Sequence, residues 1–169
     1  DGIVMGGGVG VSIHGSHRVA GDNISFAMPE TGIGLFPDVG GTYFLPRLPG
    51  ETGTYLGLTG QRVGQGDALA LGLATHAVPS ERFAGLEKSL YAARGLDQVI
   101  ANFATQPPPG KIGPLREAID RCFSAPSVEE IIARLEADSE EGFGEKTAAI
   151  LKSKSPTSLK ITLGQLREG

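Results

Sequence analysis

Apolar positions in the first part of the chain fall into short runs, each bounded by Gly, Pro, Asp or Asn. Residues 2–5, 17–20, 24–28 and 75–78 have this character, and such runs predict short β-strands. Helices are predicted between them, after Gly8, after Gly40 and after Asp67. From Glu81 onward the period lengthens to that of amphipathic helices, with helices predicted over 114–123, over 127–135 and from Ser155-Pro156 to the end. Ser127 followed three residues later by Glu130 is a capping box. Ser155 before Pro156 places a capping hydroxyl ahead of a proline at the first helical position. Gln106-Pro107-Pro108-Pro109-Gly110 cannot continue a helix and predicts a stiff connector. The expectation is an α/β fold in two regions, residues 1–80 in ββα or βα layers and residues 81–169 helical.

Composition sharpens that division. Fifteen of the 26 glycines lie in the first 60 residues, and charges are sparse before Arg47 but dense after Glu81. At 169 residues the chain can bury a real core. With 20% charged residues and a net charge of −4, there is no basic field to attract nucleic acid. The single cysteine, Cys122, excludes an internal disulfide framework. No apolar run approaches 18 residues, so no membrane-spanning helix is expected. These features fit a soluble protein in a reducing compartment. The sequence opens at Asp1 and runs directly into a strand, from which further sequence upstream is expected; a targeting peptide would lie there.

Two stretches carry candidate chemistry. Gly6-Gly7-Gly8-Val9-Gly10 follows a strand and opens a helix, so its bare N–H groups form a place for negative charge. The spacing does not match a dinucleotide fingerprint, since position 11 is Val, and no Gly-Lys-Ser/Thr follows for a phosphate loop. What remains is either a packing turn or a site for a developing oxyanion. The second stretch, MPETGIGLFPDVGG, holds two acids, Glu30 and Asp38, among residues otherwise mostly apolar, Gly or Pro. Pro29 ends the preceding strand and presents Glu30 at its C-terminal edge. A loop shaped by Gly32, Gly34 and Pro37 can bring the two together, where burial and repulsion raise one pKa while hydrogen bonds keep the other ionised. The competing readings are a solvated strand-end charge for Glu30 and a helix N-cap for Asp38.

Taken together, DGIVMGGGVGVSIHGSHRVA, FAMPETGIGLFPDVGGTYFLPRL, TYLGLTGQRV, GLATHAVP, CFSAPSVEEIIARL and SPTSLKITLGQLREG resemble the crotonase (enoyl-CoA hydratase/isomerase) superfamily over most of the chain. Within it they are most similar to the branch that hydrolyses 3-hydroxyisobutyryl-CoA in valine catabolism. The resemblance implies a spiral of ββα repeats, here its later turns, followed by a helical region. It implies that the Gly7 N–H forms half of an oxyanion hole for the thioester carbonyl, the other half lying upstream with much of the CoA pocket. Glu30 matches the catalytic glutamate shared by hydratases and hydrolases. Asp38 stands where the hydrolases carry an aspartate and hydratases usually a glycine, while Gly10 replaces the hydratases' second glutamate.

The resemblance therefore implies thioester cleavage, with Glu30 as nucleophile or as base for water and Asp38 positioning or polarising the attacker. The substrate is an acyl-CoA, and no cofactor beyond that CoA is expected. A homo-oligomer is expected, in the cytoplasm of a bacterium or the mitochondrion of a eukaryote. Enoyl-CoA hydration or isomerisation is the alternative activity, and a non-catalytic acyl-CoA binding or assembly module is a third possibility.

Other polar residues carry plainer readings. His14 and His17 lack a third ligand for a metal, and no metal site is expected. His76 reads as structural, and Cys122 as core. Lys152, Lys154 and Lys160 surround the last helix start, either on a solvated face or within reach of CoA phosphates. Gly164 marks either close packing or a tolerated helix glycine.

Overall fold

Glycine and proline set the element boundaries of the chain. The structure, a computed structural model, describes residues 1–92, 94–138 and 142–169. Four short strands, β1 (Ile3–Val4), β2 (Val19–Ala20), β3 (Ser25–Phe26) and β4 (His76–Ala77), accompany ten α-helices and four short 3-10 turns among the described residues. Those up to the middle of the chain are α1 (Gly7–Ser12), α2 (Gly41–Phe44), α3 (Thr52–Thr59), α4 (Gln65–Ala70) and α5 (Phe83–Tyr91). The rest are α6 (Leu96–Phe103), α7 (Arg116–Phe123), α8 (Val128–Glu136), α9 (Phe143–Lys152) and α10 (Pro156–Glu168). Two compact units divide the chain. One comprises residues 1–26 and 63–111, the other residues 27–62 and 112–169.

In the first unit all four strands pair in parallel, β1 with β3 (Ile3 opposite Ser25) and β2 with β4 (Val19 opposite His76). Each strand skips its sequence neighbour, which parallel pairing through crossovers requires and which a spiral of strand–strand–helix repeats produces. The hydrogen-bonded ladders are shorter than the apolar runs predicted. For β1 the cause is local, since Gly2 (φ 73°) and Gly6 (φ 49°) turn the backbone left-handed on either side of Ile3–Val4. Phe26 and Val63 extend the layer with a reciprocal antiparallel bridge, N to O 3.0 and 2.8 Å.

Val78, Leu86 and Ile100 form this unit's buried cluster, packed against Val19, Phe83, Leu90, Val99 and Phe103. Arg82 donates to the carbonyls of Asn102 (3.0 Å) and Phe103 (2.9 Å), satisfying acceptors that the end of α6 leaves open. The Pro107–Gly110 connector after α6 is neither helix nor strand.

The second unit is built around α3, all eight residues of which are buried. A helix apolar or small on every side belongs in the middle of a core. Here it packs against α7, α9 and α10. Gly53 lets the 3-10 turn Leu45–Arg47 lie against α3, because a Cβ at this position would overlap the Leu45 carbonyl. Tyr55 meets Phe123 edge-on with ring centroids 5.4 Å apart. Met28, Leu45, Leu56, Ile119, Ile131, Leu135 and Leu151 complete the core. At the far end of α10, Arg167 donates to Glu51 Oε1 (2.9 Å) and to the Phe123 carbonyl (2.7 Å).

The predicted caps are present. Ser127 Oγ accepts the Glu130 N–H at 3.2 Å, and Ser155 Oγ accepts the Ser158 N–H at 3.3 Å. A Cβ at Gly164 would meet nothing within 4 Å, so this helix glycine is tolerated and not a close-packing device.

Candidate active site

Glu30 is the centre of the candidate site, and its setting starts with the chain path. β3 ends at Phe26, and the backbone passes Pro29 into a 3-10 turn, Glu30–Ile33. Glu30 therefore opens a short helical turn instead of ending a strand. Proline explains this: it has no N–H to extend a ladder, while its fixed φ suits the entry to a turn. The Glu30 carbonyl accepts the Leu35 N–H at 3.0 Å, and Gly34, at φ 80°, closes the turn onto the same carbonyl.

The residues around Glu30 are anchored within the second unit. Thr31 is fully buried and donates its hydroxyl to the Leu58 carbonyl at 3.0 Å. Its own carbonyl accepts the Ser155 N–H at 3.3 Å. Lys154 lies over the backbone at Gly32, where a Cβ would stand 3.4 Å from its Nζ.

The Glu30 side chain is only 6% exposed, and its Oε2 has no hydrogen-bond partner among the described residues. Such an atom is rare and costly unless something else uses it. Burial pushes the Glu30 carboxyl above the ordinary glutamate value; its own backbone N–H opposes this, and the charge of Asp38 adds to the upward shift. A carboxylic group whose protonation is moved in this way is suited to acid, base or nucleophile work.

Asp38 is exposed, eight residues further along the same loop. It does not cap α2. The N-cap of that helix is Gly40, at φ 87° and without a side-chain capping bond, so the cap reading of Asp38 is set aside. Its carbonyl accepts the Gly41 N–H at 2.7 Å. Between them Val39 takes a left-handed φ of 47°. Loop apolar groups stand in solvent nearby in sequence, Ile33 at 74% and Leu35 at 54% exposed.

Gly7 belongs to the first unit and opens α1 directly, two residues earlier than a helix beginning after Gly8. Gly6 is its N-cap. Gly8 donates to the Met5 carbonyl at 3.0 Å and Val9 to that of Gly6 at 3.0 Å, whereas the exposed Gly7 makes no such backbone bond among the described residues. A donor of this kind at a helix start is available to an anion.

The remaining polar groups are engaged elsewhere. His17 Nε2 lies 2.9 Å from Asp97 Oδ1 and its ring stacks on His76 at 6.2 Å, while His76 Nδ1 lies 2.8 Å from Thr75 Oγ1. Among the described residues no group of three or more His, Cys, Asp or Glu is placed to hold a metal ion. Cys122 is buried with its thiol toward Asp138 Oδ2 at 3.5 Å; burial first, then that carboxylate, push it up to about 11, which leaves it an unreactive core thiol. Lys152 pairs with Glu136, and Lys160 with Glu129 at 2.7 Å. The sequence pattern gave no sign of the Thr31 tether or of the Lys154 approach, because both join segments far apart in the chain.

Comparison with known proteins gives a consistent result. The profile of the enoyl-CoA hydratase/isomerase family matches residues 1–169. The chain is 49% identical over 179 residues to 3-hydroxyisobutyryl-CoA hydrolase 1 of Arabidopsis thaliana, covering 100% of this chain and 47% of that protein. It is 49% identical over 181 residues to the mitochondrial 3-hydroxyisobutyryl-CoA hydrolase of Homo sapiens, covering 99% and 46%. Among solved structures it is similar to a carnitinyl-CoA dehydratase from Mycobacterium thermoresistibile, with TM-score 0.92, 40% identity, and 98% of this chain and 48% of that one covered. It is also similar to an enoyl-CoA hydratase from Rhodobacter sphaeroides 2.4.1, with TM-score 0.88, 38% identity, and 99% and 48% covered. The chain thus spans about half the length of the relatives it matches. No helix among the described residues is long and apolar enough to cross a membrane. From this agreement of sequence profile and structural likeness, the chain belongs to the enoyl-CoA hydratase/isomerase family.

Proposed function

We propose that this chain carries the reacting carboxylates of an acyl-CoA thioester hydrolase whose substrate is 3-hydroxyisobutyryl-CoA, a step of valine catabolism. The observation that carries the reading is the buried Glu30 carboxylate, its Oε2 unpartnered among the described residues, with Asp38 acting on its charge. The names of the hydrolases from Arabidopsis thaliana and Homo sapiens support the substrate.

Two routes use the same atoms. In one, ionised Glu30 attacks the thioester carbonyl carbon, the C–S bond breaks, CoA leaves as thiolate and takes a proton, and water then cleaves the mixed anhydride. In the other, Glu30 accepts a proton from water as that water attacks the same carbon. Both consume one water and release one carboxylic acid and one CoA thiol. Asp38 orients or polarises the attacker, and the Gly7 N–H donates to the oxygen that becomes negative. CoA enters as part of the substrate, and no further cofactor takes part. A homo-oligomer completes the proposal, in the cytoplasm of a bacterium or the mitochondrion of a eukaryote.

The test is release of free CoA thiol from 3-hydroxyisobutyryl-CoA by the full-length protein. Glu30→Gln is expected to lower kcat by roughly 10²- to 10⁴-fold, the range of a positioned acid–base or nucleophilic group. An unchanged rate in that variant overturns the assignment. Rapid acid quench followed by intact mass separates the routes, since only the anhydride route leaves an acyl group on Glu30. A second reading, hydration of an enoyl-CoA, is favoured by the likeness to a hydratase and a dehydratase; it predicts loss of the conjugated absorbance of crotonyl-CoA that survives Asp38→Asn.

A further inference from the structure

Val39 is the one residue other than glycine with a left-handed backbone among the described residues, at φ 47°. A β-branched residue is poorly suited to that region, because its Cβ substituents crowd the neighbouring backbone. Strain of this kind persists only where the surroundings over-determine it, and such residues cluster at functional sites.

The surroundings of Val39 are restrictive on both sides. Pro37 is buried, and a Cβ at Gly41 would stand 2.8 Å from Pro37 Cβ, so the two ends of the segment are packed together. The Asp38 carbonyl is held by the Gly41 N–H at 2.7 Å, and Gly40 follows at φ 87°. Asp38, exposed and with no capping role, is the residue this bracket encloses.

We propose that Val39 is a positioning residue, whose left-handed backbone between the Pro37 wedge and the Gly40 turn fixes the Asp38 carboxylate relative to Glu30. The inference rests on the reading of Glu30 as the reacting carboxylate. A glycine at 39 would suit φ 47° without strain, but it would place three glycines in succession at 39, 40 and 41. The backbone after Asp38 would then sample many conformations, and the carboxylate would move with it. Asparagine tolerates the left-handed region while keeping a Cβ that restricts the chain. The two replacements therefore separate relief of strain from loss of rigidity.

The experiment compares Val39→Gly and Val39→Asn in the full-length protein, reading the titration of the Glu30 carboxyl by carbon-13 NMR together with kcat, KM and Tm. In Val39→Gly the Asp38 charge no longer acts on Glu30 from one fixed position, so the Glu30 titration moves down in pH. Its kcat falls about 10-fold or more while KM stays within about 2-fold, the signature of lost positioning. Val39→Asn keeps the wild-type titration and kcat, with Tm unchanged or raised.

A Val39→Gly protein that titrates and turns over as wild type overturns the proposal. So does a lowered Tm with the Glu30 titration unmoved, which assigns Val39 to packing alone. If Val39→Gly fails to fold, a folded Val39→Asn that has lost kcat overturns it. The titration is independent of the hydrolase reading, so absence of thioester cleavage in the wild type refutes that reading while the Val39 comparison is still decided.

Discussion

Thr31 and Leu58, 27 residues apart, are joined by a buried hydrogen bond from the threonine hydroxyl to the leucine carbonyl at 3.0 Å. The bond does two things at once. Leu58 lies in the last turn of α3, where carbonyls have no partner within the helix, and Thr31 satisfies one of them. It also fixes the backbone next to Glu30 to the helix at the centre of the unit.

Thr31→Val keeps the shape of the side chain and removes its donor, leaving a buried carbonyl unpaired. The expected cost is about 1–3 kcal/mol, read as a lowered midpoint in urea unfolding at constant slope. Because Thr31 adjoins Glu30, kcat for the proposed thioester cleavage should fall as well. A variant as stable and active as wild type would show that the tether is unimportant.

The raised pKa of Glu30 predicts an unusual pH dependence. Burial first, with Asp38 adding, makes the folded protein hold this proton to higher pH than the unfolded chain, whose ordinary value is 4.5. Between 4.5 and the raised value the folded state binds more protons, so stability falls as pH rises through that window. Glu30→Gln removes this contribution, and its stability advantage over wild type should be larger at pH 7 than at pH 4. In the proposed reaction Glu30 acts as the ionised carboxylate, so the acidic limb of kcat/KM should lie above the ordinary glutamate range. Thermal unfolding and rate profiles measured across pH 4 to 8 check both.

Gly53→Ala tests the core of the second unit. A single methyl there meets the Leu45 carbonyl, and neither backbone can withdraw without disturbing α3, so the loss should exceed the 1–3 kcal/mol typical of overpacking by a methylene. Soluble, folded protein with an unshifted Tm would contradict this packing of Gly53 against Leu45.

The two capping serines give a quantitative check on local structure. Ser127→Ala and Ser155→Ala each remove an N-cap acceptor and should each cost about 1 kcal/mol. The second loosens the start of α10, whose residue-155 N–H, retained in alanine, binds the Thr31 carbonyl next to Glu30, and so should also affect turnover, whereas the first should leave kcat unchanged. Paired stability and rate measurements distinguish them.

The helices after Glu81 were legible where an apolar stripe and a cap coincide. Ser127 and Ser155 state their boundaries within a few residues, since capping is a local hydrogen bond. The Pro107–Gly110 connector was legible for the same reason, as proline acts on its own backbone. α3 was not, because every one of its residues is buried and a helix without a solvent face has no polar positions to give a period. At the candidate site, the sequence by itself supplied Glu30, Asp38 and Gly7, and the motifs that tie them to a family. Only the tertiary structure decided that Glu30 opens a turn instead of ending a strand, that Asp38 does not cap α2, and that one Glu30 oxygen is buried without a partner among the described residues. The last of these depends on segments remote in the chain, α3 at Leu58 and the start of α10 at Ser155, which hold the loop at Thr31. Desolvation is set by all the neighbours of a group together, and no local pattern of residues records them.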